Sequence, residues 1–181
     1  MAQAQLIPRR LSRVEYDRMA ALDFFRGERV ELIRGMVIKM SPIGPPHASV
    51  VDRLTRLLVL GIGERALVRI QQPFLAYDES EPEPDVAVVP ESSYSERHPD
   101  AALLMIEVAE TSLDYDRDIK GPLYAASGVQ EYWIVDVASR AIEMFSEGDG
   151  TRFNRVRRIA SGGIGPAAFP DVIIDIAQLF V

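Results

Sequence analysis

The chain contains no cysteine and only two histidines among its 181 residues. The absence of cysteine excludes disulfide bonds and thiolate metal sites, and it is typical of a reducing compartment. Two histidines are too few for a zinc site built from histidine alone. A hard divalent cation bound by carboxylate oxygens is compatible with this composition.

The sequence also lacks a long apolar run. Runs such as LLVLGIG at 57–63 are far shorter than the roughly 20 residues that cross a bilayer. The N-terminal stretch MAQAQLIPRRLSRVEY has no continuous apolar segment of the kind found in a secretory signal. We therefore expect a cytoplasmic protein with no membrane partner.

Positive charge is scarce: 20 lysines and arginines face 27 acidic residues, which gives a net charge of −7. This balance disfavours a general nucleic-acid coat protein, because phosphates are bound mainly by Lys and Arg. It does not exclude an enzyme that acts on nucleic acid, since a metal site in such an enzyme is itself acidic. Arginines cluster at 9–13 and at 152–158, where either nucleic-acid contact or a solvated face would explain them.

What is present predicts one globular domain over residues 1–181, from the length, the 48% hydrophobic content and the 26% charged content. Apolar runs such as LLMIEVA predict strands that are buried on both faces, hence an α/β fold with a mixed central β-sheet flanked by α-helices on both sides. The first predicted elements are a helix over 13–22 with a Ser12–Glu15 capping box, a hairpin over 30–40 that turns at Arg34–Gly35, a loop over 41–46 and a helix over 47–62. Strands are then predicted over 66–77, 85–89 and 103–109. A helical segment follows within 112–127, either kinked at Pro122 or beginning near 120, and it ends at Gly128. The last predicted elements are strands over 131–137 and 141–145 and late short strands.

Two carboxylates occur where the sequence is otherwise apolar. Asp85 starts a predicted strand directly after Pro84, and Glu107 lies in the strand LLMIEVA. A buried carboxylate is costly unless it is paired or bound to a cation, and two on adjacent strands repel unless a proton or metal lies between them. Mg²⁺ suits such a site, and Glu31 in the hairpin is a third candidate. The alternative is that Asp85 caps a turn and Glu107 points to solvent from an edge strand.

Lys120 follows these acids on the helical segment, and two explanations of it are open. It is a candidate cation for a site with Glu107, or it forms an ion pair with Asp116 on an exposed helix face at the i,i+4 spacing. Tyr124 is most simply a packing residue, and His47 a capping or surface residue. The chain has no G-x-S-x-G, Walker or G-x-G-x-x-G motif that would indicate a serine hydrolase or a nucleotide-binding loop.

The chain resembles the Uma-two family of endonucleases, formerly a domain of unknown function, in the PD-(D/E)XK restriction-endonuclease-like superfamily. The resemblance rests on the motifs VELIRGMVIKMSPIGPPH, QQPF, EPEPDVAVV, LLMIEVAETS and YDRDIKGPLYAASGVQEYWIVD, between about Glu31 and Asp136. It implies a restriction-endonuclease-like core, with Mg²⁺ or Mn²⁺ bound by Asp85 and Glu107. The lysine of the superfamily is expected two residues after Glu107, where this chain has Ala109.

The resemblance further implies that Lys120 takes the place of the missing lysine and that Glu31 has an accessory catalytic role. The implied activity is metal-dependent hydrolysis of nucleic-acid phosphodiesters, with DNA as the expected partner. By analogy with restriction-like folds, a homodimer is also expected. The alternatives are a non-catalytic binding protein that retains the nuclease fold, favoured by the acidic composition and by Ala109, and hydrolysis of a different phosphoester.

Overall fold

The structure is a computed structural model that describes residues 7–180. Residues 1–6 lie outside the described residues, and they include the start of the N-terminal stretch that was not expected to be a secretory signal. No helix within 7–180 combines the length and the apolar character that crossing a membrane requires. The elements in chain order are α1 (Arg13–Ala21), β1 (Val30–Ile33), β2 (Met36–Lys39), α2 (Pro45–Ile62), a 3₁₀ turn (Gly63–Arg65), β3 (Leu67–Ile70), β4 (Val86–Val89), β5 (Leu104–Ala109), α3 (Leu113–Tyr115), a π-helical turn (Asp116–Lys120), α4 (Gly121–Ala126), β6 (Tyr132–Asp136), β7 (Ala141–Gly148), β8 (Phe153–Ile159), β9 (Gly163–Ile164), β10 (Ile174–Asp175) and a 3₁₀ turn (Ile176–Leu179).

The central sheet has six strands in the order β3-β4-β5-β6-β7-β8. Only β5 and β6 pair in parallel, and every other neighbouring pair in this sheet is antiparallel. The parallel pair is connected by the helical segment 113–126, as a parallel connection requires a crossover. The predicted mixed sheet is therefore confirmed.

Helices cover both faces of this sheet, because successive residues of a strand point to opposite faces. On one face, α2 packs its apolar side, including Leu54 and Leu58, against Val86, Ile106 and Trp133. Both leucines are fully buried, and burying a leucine side chain contributes about 1.5–3 kcal/mol. On the other face, helix 113–126 packs against the alternate residues of the same strands. The helices on both sides of the sheet are confirmed.

The hairpin β1–β2 forms a separate two-stranded sheet beside the central one. Its two turn residues, Arg34 and Gly35, have φ angles of 49° and 76°. Two consecutive positive φ angles define the type I′ turn, which matches the twist of the strands it joins. The predicted hairpin and its turn are confirmed, as is the Ser12–Glu15 capping box of α1.

Helix 113–126 is interrupted by a π-helical turn just before Pro122. The Gly121 amide donates to the Asp116 carbonyl, five residues earlier. Proline has no amide hydrogen for the α-helical ladder, which explains a break at this point. The helix ends in a Schellman motif, because Gly128 has a φ of 76° and its amide donates to the Ala125 carbonyl while the next amide reaches Tyr124. The prediction of a helix that begins near 120 is confirmed for α4, which begins at Gly121, and the glycine cap is confirmed as well.

Several boundaries differ from the sequence-based prediction, three of them with consequences for the fold. The strand predicted over 66–77 ends at Ile70, because Gln71 adopts a positive φ of 49° and Pro73 offers no amide hydrogen. Helix α2 begins at Pro45 instead of His47, since proline is favoured in the first turn of a helix. The late strands were expected to be short, but β8 has seven residues.

Candidate active site

A cleft of about 360 Å³ opens between hairpin β1–β2, the N-terminal end of α2 and the ends of β4 and β5. The polar side chains that line it come from five separate parts of the chain. They include Glu31, His47, Asp85, Glu107, Asp116 and Lys120.

Asp85 is held at the end of β4 by three hydrogen bonds. The pairing of Val86 with Ile106 sets Asp85 beside β5, where its Oδ2 accepts the Val108 amide at 2.9 Å. Its Oδ1 lies 3.2 Å from the Gln71 Nε2 and 3.0 Å from the His47 Nε2. Burial raises the pKa of Asp85, but the hydrogen bond and charge of His47 outweigh it and leave the pKa below its usual value. The same hydrogen bond raises the pKa of His47, which favours the protonated imidazole beside Asp85.

Lys120 bridges two buried carboxylates. Its Nζ lies 2.9 Å from Glu107 Oε1 and 3.1 Å from Glu31 Oε2. The Tyr124 hydroxyl donates to the same Glu107 oxygen at 2.7 Å, and the Tyr115 hydroxyl donates to Glu31 at 3.3 Å. Burial alone lowers the pKa of Lys120, but the carboxylates of Glu107 and Glu31 outweigh it and raise the pKa above its ordinary value. The ammonium group therefore stays protonated.

Acidic side chains outnumber basic ones in the lining of the cleft. Burial raises the pKa of Glu107 well above its ordinary value, and it raises the pKa of Asp116 to about 6. The lining contains five acidic side chains, the other three being Glu31, Asp85 and Glu110, against four basic ones. Such an excess of buried carboxylates is stabilised by bound protons or by a cation.

The structure brings together all four of the sequence-predicted site residues. Asp85 and Glu107 are 7% and 4% exposed, so the alternative of a turn cap and a solvent-facing edge residue is wrong. Lys120 is only 4% exposed and pairs with Glu31 and Glu107, so the alternative of a surface ion pair with Asp116 is also wrong. The chemical roles of these residues stay predictions.

Sequence reasoning missed four residues that contact this cluster. His47 and Gln71 reach Asp85, while Tyr115 and Tyr124 reach the two glutamates. The spacing of Tyr124 four residues after Lys120 was a usable signal, because residues four apart share one side of a helix. For His47, the only signal was its place just after a proline-rich loop.

The donor set fits a hard divalent cation in type and charge. Carboxylate oxygens are the ligands that Mg²⁺ prefers, and the negative excess of the cleft offers a site for its charge. Within residues 7–180, no three histidine or acidic side chains are grouped as a preassembled metal site. Both Asp85 oxygens already accept hydrogen bonds, so cation binding would replace some of these contacts.

Most arginines of the two clusters are paired with carboxylates outside this cleft. In each ion pair the carboxylate partly neutralises the arginine, which weakens the attraction of that arginine for nucleic-acid phosphates. The pairs are Arg9–Glu15, Arg13–Glu81, Arg152–Asp149, Arg155–Glu147, Arg158–Asp136 and Arg158–Glu143. This pairing favours the interpretation of both clusters as solvated faces.

Comparison with known proteins adds two similarities. The family model Uma2, described as "Putative restriction endonuclease", matches residues 13–176. A solved structure described as "a putative nuclease belonging to DUF820 from Anabaena variabilis" superposes with a TM-score of 0.73 over 94% of this chain and 97% of that chain. The two sequences are 13% identical, so this likeness shows the shared fold. No curated protein matches the chain.

Proposed function

We propose, from the premise that this chain belongs to the Uma2 family, that it is a metal-dependent endonuclease that hydrolyses nucleic-acid phosphodiesters. DNA is the expected substrate. The proposal rests on one observation: Asp85, Glu107 and Lys120 line the same cleft, beside the neighbouring strands β4 and β5. Two carboxylates and a cation are the groups that phosphodiester hydrolysis with a divalent metal requires.

Asp85 and Glu107 are the proposed ligands of Mg²⁺ or Mn²⁺. Such an ion, when bound, polarises the phosphate and lowers the pKa of a water molecule. The chain orients both carboxylates in advance: the Val108 amide holds Asp85, and the Tyr124 hydroxyl holds Glu107. These two contacts hold the carboxylates near their working positions, while the contacts of Asp85 Oδ1 with His47 and Gln71 would give way to the cation.

Lys120 is the proposed electrostatic partner of the reacting phosphate. Negative charge grows on the phosphate oxygens as water attacks phosphorus and the bond to the leaving oxygen breaks, and a fixed cation stabilises that charge. Because its pKa is raised, Lys120 keeps its proton and does not serve as a base. Glu31, on the other side of the ammonium group, is the proposed accessory residue that holds Lys120 in place.

The alternative is a non-catalytic nucleic-acid-binding protein that retains the nuclease fold. Two observations favour it: residue 109 is Ala, and both Asp85 oxygens are occupied by hydrogen bonds. Under this alternative the cluster is structural, and its ion pairs close the cleft to metal.

Nicking of supercoiled plasmid by the purified protein, with Mg²⁺ or Mn²⁺ and with a chelator, separates the two. We expect metal-dependent nicking that Asp85→Asn and Glu107→Gln each reduce by about a hundredfold or more, the usual scale for loss of a group that stabilises the transition state. Asp52→Asn, at an exposed position of α2 outside the cleft lining, is the matched control. Wild-type protein that binds DNA but cleaves neither the plasmid nor single-stranded DNA in any metal condition would support the binding protein.

A further inference from the structure

We infer that the substrate enters this cleft as a single strand and not as an intact duplex. This inference rests on the proposed function, because it specifies which form of nucleic acid binds to the site of the proposed endonuclease. Three features of the cleft support it: its depth, the chemistry of its rim and the small number of cations that line it.

The reacting groups lie too deep for a paired strand. Asp85, Glu107 and Lys120 are all at least nine-tenths buried, at the base of a cleft of about 360 Å³. That volume is near the lower end of the roughly 300–1,000 Å³ typical of pockets that enclose one small molecule. It suits about one nucleotide unit, whereas the major groove of a duplex alone is about 12 Å wide. Enzymes that enclose a base in a pocket act on single strands or on extruded nucleotides, and a similar steric limit applies to a backbone bond that must reach buried groups.

The rim of the cleft is apolar on the side of the loop that precedes α2. Ile38, Met40, Pro42 and Ile43 line it, and Ile43 is 40% exposed. A duplex presents its charged backbone outward and would set phosphates against these side chains. An unpaired base presents a flat, uncharged face, and packing this face against apolar side chains removes apolar surface from water.

Only two further cations, Arg29 and Lys39, line the cleft besides His47 and Lys120. Both are on the solvent side of hairpin β1–β2, where Arg29 pairs with Glu83 at 3.3 Å and Lys39 with Glu28 at 2.8 Å. Two rim cations suffice to contact the phosphates that flank one nucleotide. A duplex-binding surface instead neutralises many phosphates on both strands, for which two rim cations are too few.

The test compares one labelled strand in three forms: single, annealed as a blunt duplex, and annealed with a central unpaired bubble. Cleavage is measured with Mg²⁺ or Mn²⁺, and binding by fluorescence anisotropy without metal. We expect the single strand and the bubble to be cut at least about tenfold faster than the duplex, which corresponds to 1.4 kcal/mol for each stacked step that must open. The single strand should also bind more tightly than the duplex.

Variants of the rim provide a second measurement. Arg29→Gln should weaken single-strand binding and reduce the slope of log affinity against log salt by about 0.7, the value for one phosphate contact on a single strand. Arg56→Gln removes the same charge from an exposed position of α2 outside the cleft lining, and it should change neither quantity.

The outcomes distinguish this inference from the proposed function. Equal cleavage of duplex and single strand overturns the inference while leaving nuclease activity established. Equal binding of the two forms overturns the inference whatever the cleavage result. A single-strand preference in binding, with no form cleaved in any metal condition, supports the inference and overturns the endonuclease proposal. Absence of both cleavage and binding overturns both.

Discussion

The replacement of Lys120 by methionine tests the site most directly, because it removes the cation between two buried carboxylates. Methionine keeps the unbranched shape of lysine, so the packing of the methylene groups is largely preserved. The carboxylates of Glu31 and Glu107 would then face each other without the ammonium group that lies 3.1 and 2.9 Å from them.

The expected loss of stability is large. Removal of one partner from a buried ion pair costs about 3–5 kcal/mol, because the remaining charge stays uncompensated. For a protein of this size, about 1 kcal/mol lowers the melting temperature by 2–4 °C, so we expect a decrease of roughly 6–20 °C. The matched control is Lys39→Met. Lys39 is the only other lysine in the chain, its side chain is 68% exposed, and its surface pair with Glu28 contributes at most about 1 kcal/mol.

The loss should also depend on pH. Burial already raises the pKa of Glu107 above its value in the unfolded chain, and removal of Lys120 raises it further. A group with a raised folded-state pKa contributes stability that is full below its unfolded pKa and disappears as the pH rises through the folded value. The difference between wild type and Lys120→Met should therefore be smallest near pH 4.5, the ordinary pKa, and should grow towards neutral pH.

Thermal or urea unfolding followed by tryptophan fluorescence measures this effect, because the single tryptophan, Trp133, is fully buried in the central sheet. The reasoning would be refuted by similar small losses for Lys120→Met and Lys39→Met. It would also be refuted by a loss for Lys120→Met that stays constant between pH 4.5 and neutral pH.

Three further predictions concern metal, pH and backbone conformation. Mg²⁺ or Mn²⁺ should raise the melting temperature of the wild type, because at a hundredfold excess over Kd the bound ion adds about 2.7 kcal/mol to the free energy of unfolding. Neither Asp85→Asn nor Glu107→Gln should show this rise. Burial raises the pKa of Glu81 from 4.5 to about 7, so wild-type stability should fall across that interval as the pH rises, and Glu81→Gln should remove about 1–3 kcal/mol of this dependence. Gly128→Ala should cost about 1–2 kcal/mol, because the φ of 76° at the helix cap disfavours a side chain.

Each of these has a result that contradicts it. A metal-induced rise that survives both carboxylate substitutions would place the cation elsewhere. A pH profile for Glu81→Gln that overlays the wild-type profile would show that Glu81 does not titrate in that interval. An unchanged urea midpoint for Gly128→Ala would contradict the argument from the left-handed conformation. Gly150→Ala serves as the comparison, because Gly150 also has a positive φ but lies outside any helix cap.

Local features of this protein were determined by the sequence. The Ser12–Glu15 capping box, the Arg34–Gly35 turn and the Gly128 cap depend on residues at most a few positions apart. Short-range steric and hydrogen-bonding preferences are sufficient to predict such features. The candidate carboxylates were also recognisable, because charged residues inside apolar strands must be compensated by a partner.

Only the tertiary structure decided which residues compensate them. Lys120 had an acidic neighbour four positions away, yet its ammonium group contacts Glu31 and Glu107 because helix 113–126 packs over the face of the sheet that carries Glu107. His47 reaches Asp85 across 38 positions, and Gln71 leaves its strand where its side chain reaches the same carboxylate. Contacts of this range depend on how the sheet and helices pack, and no local pattern in the sequence encodes that packing.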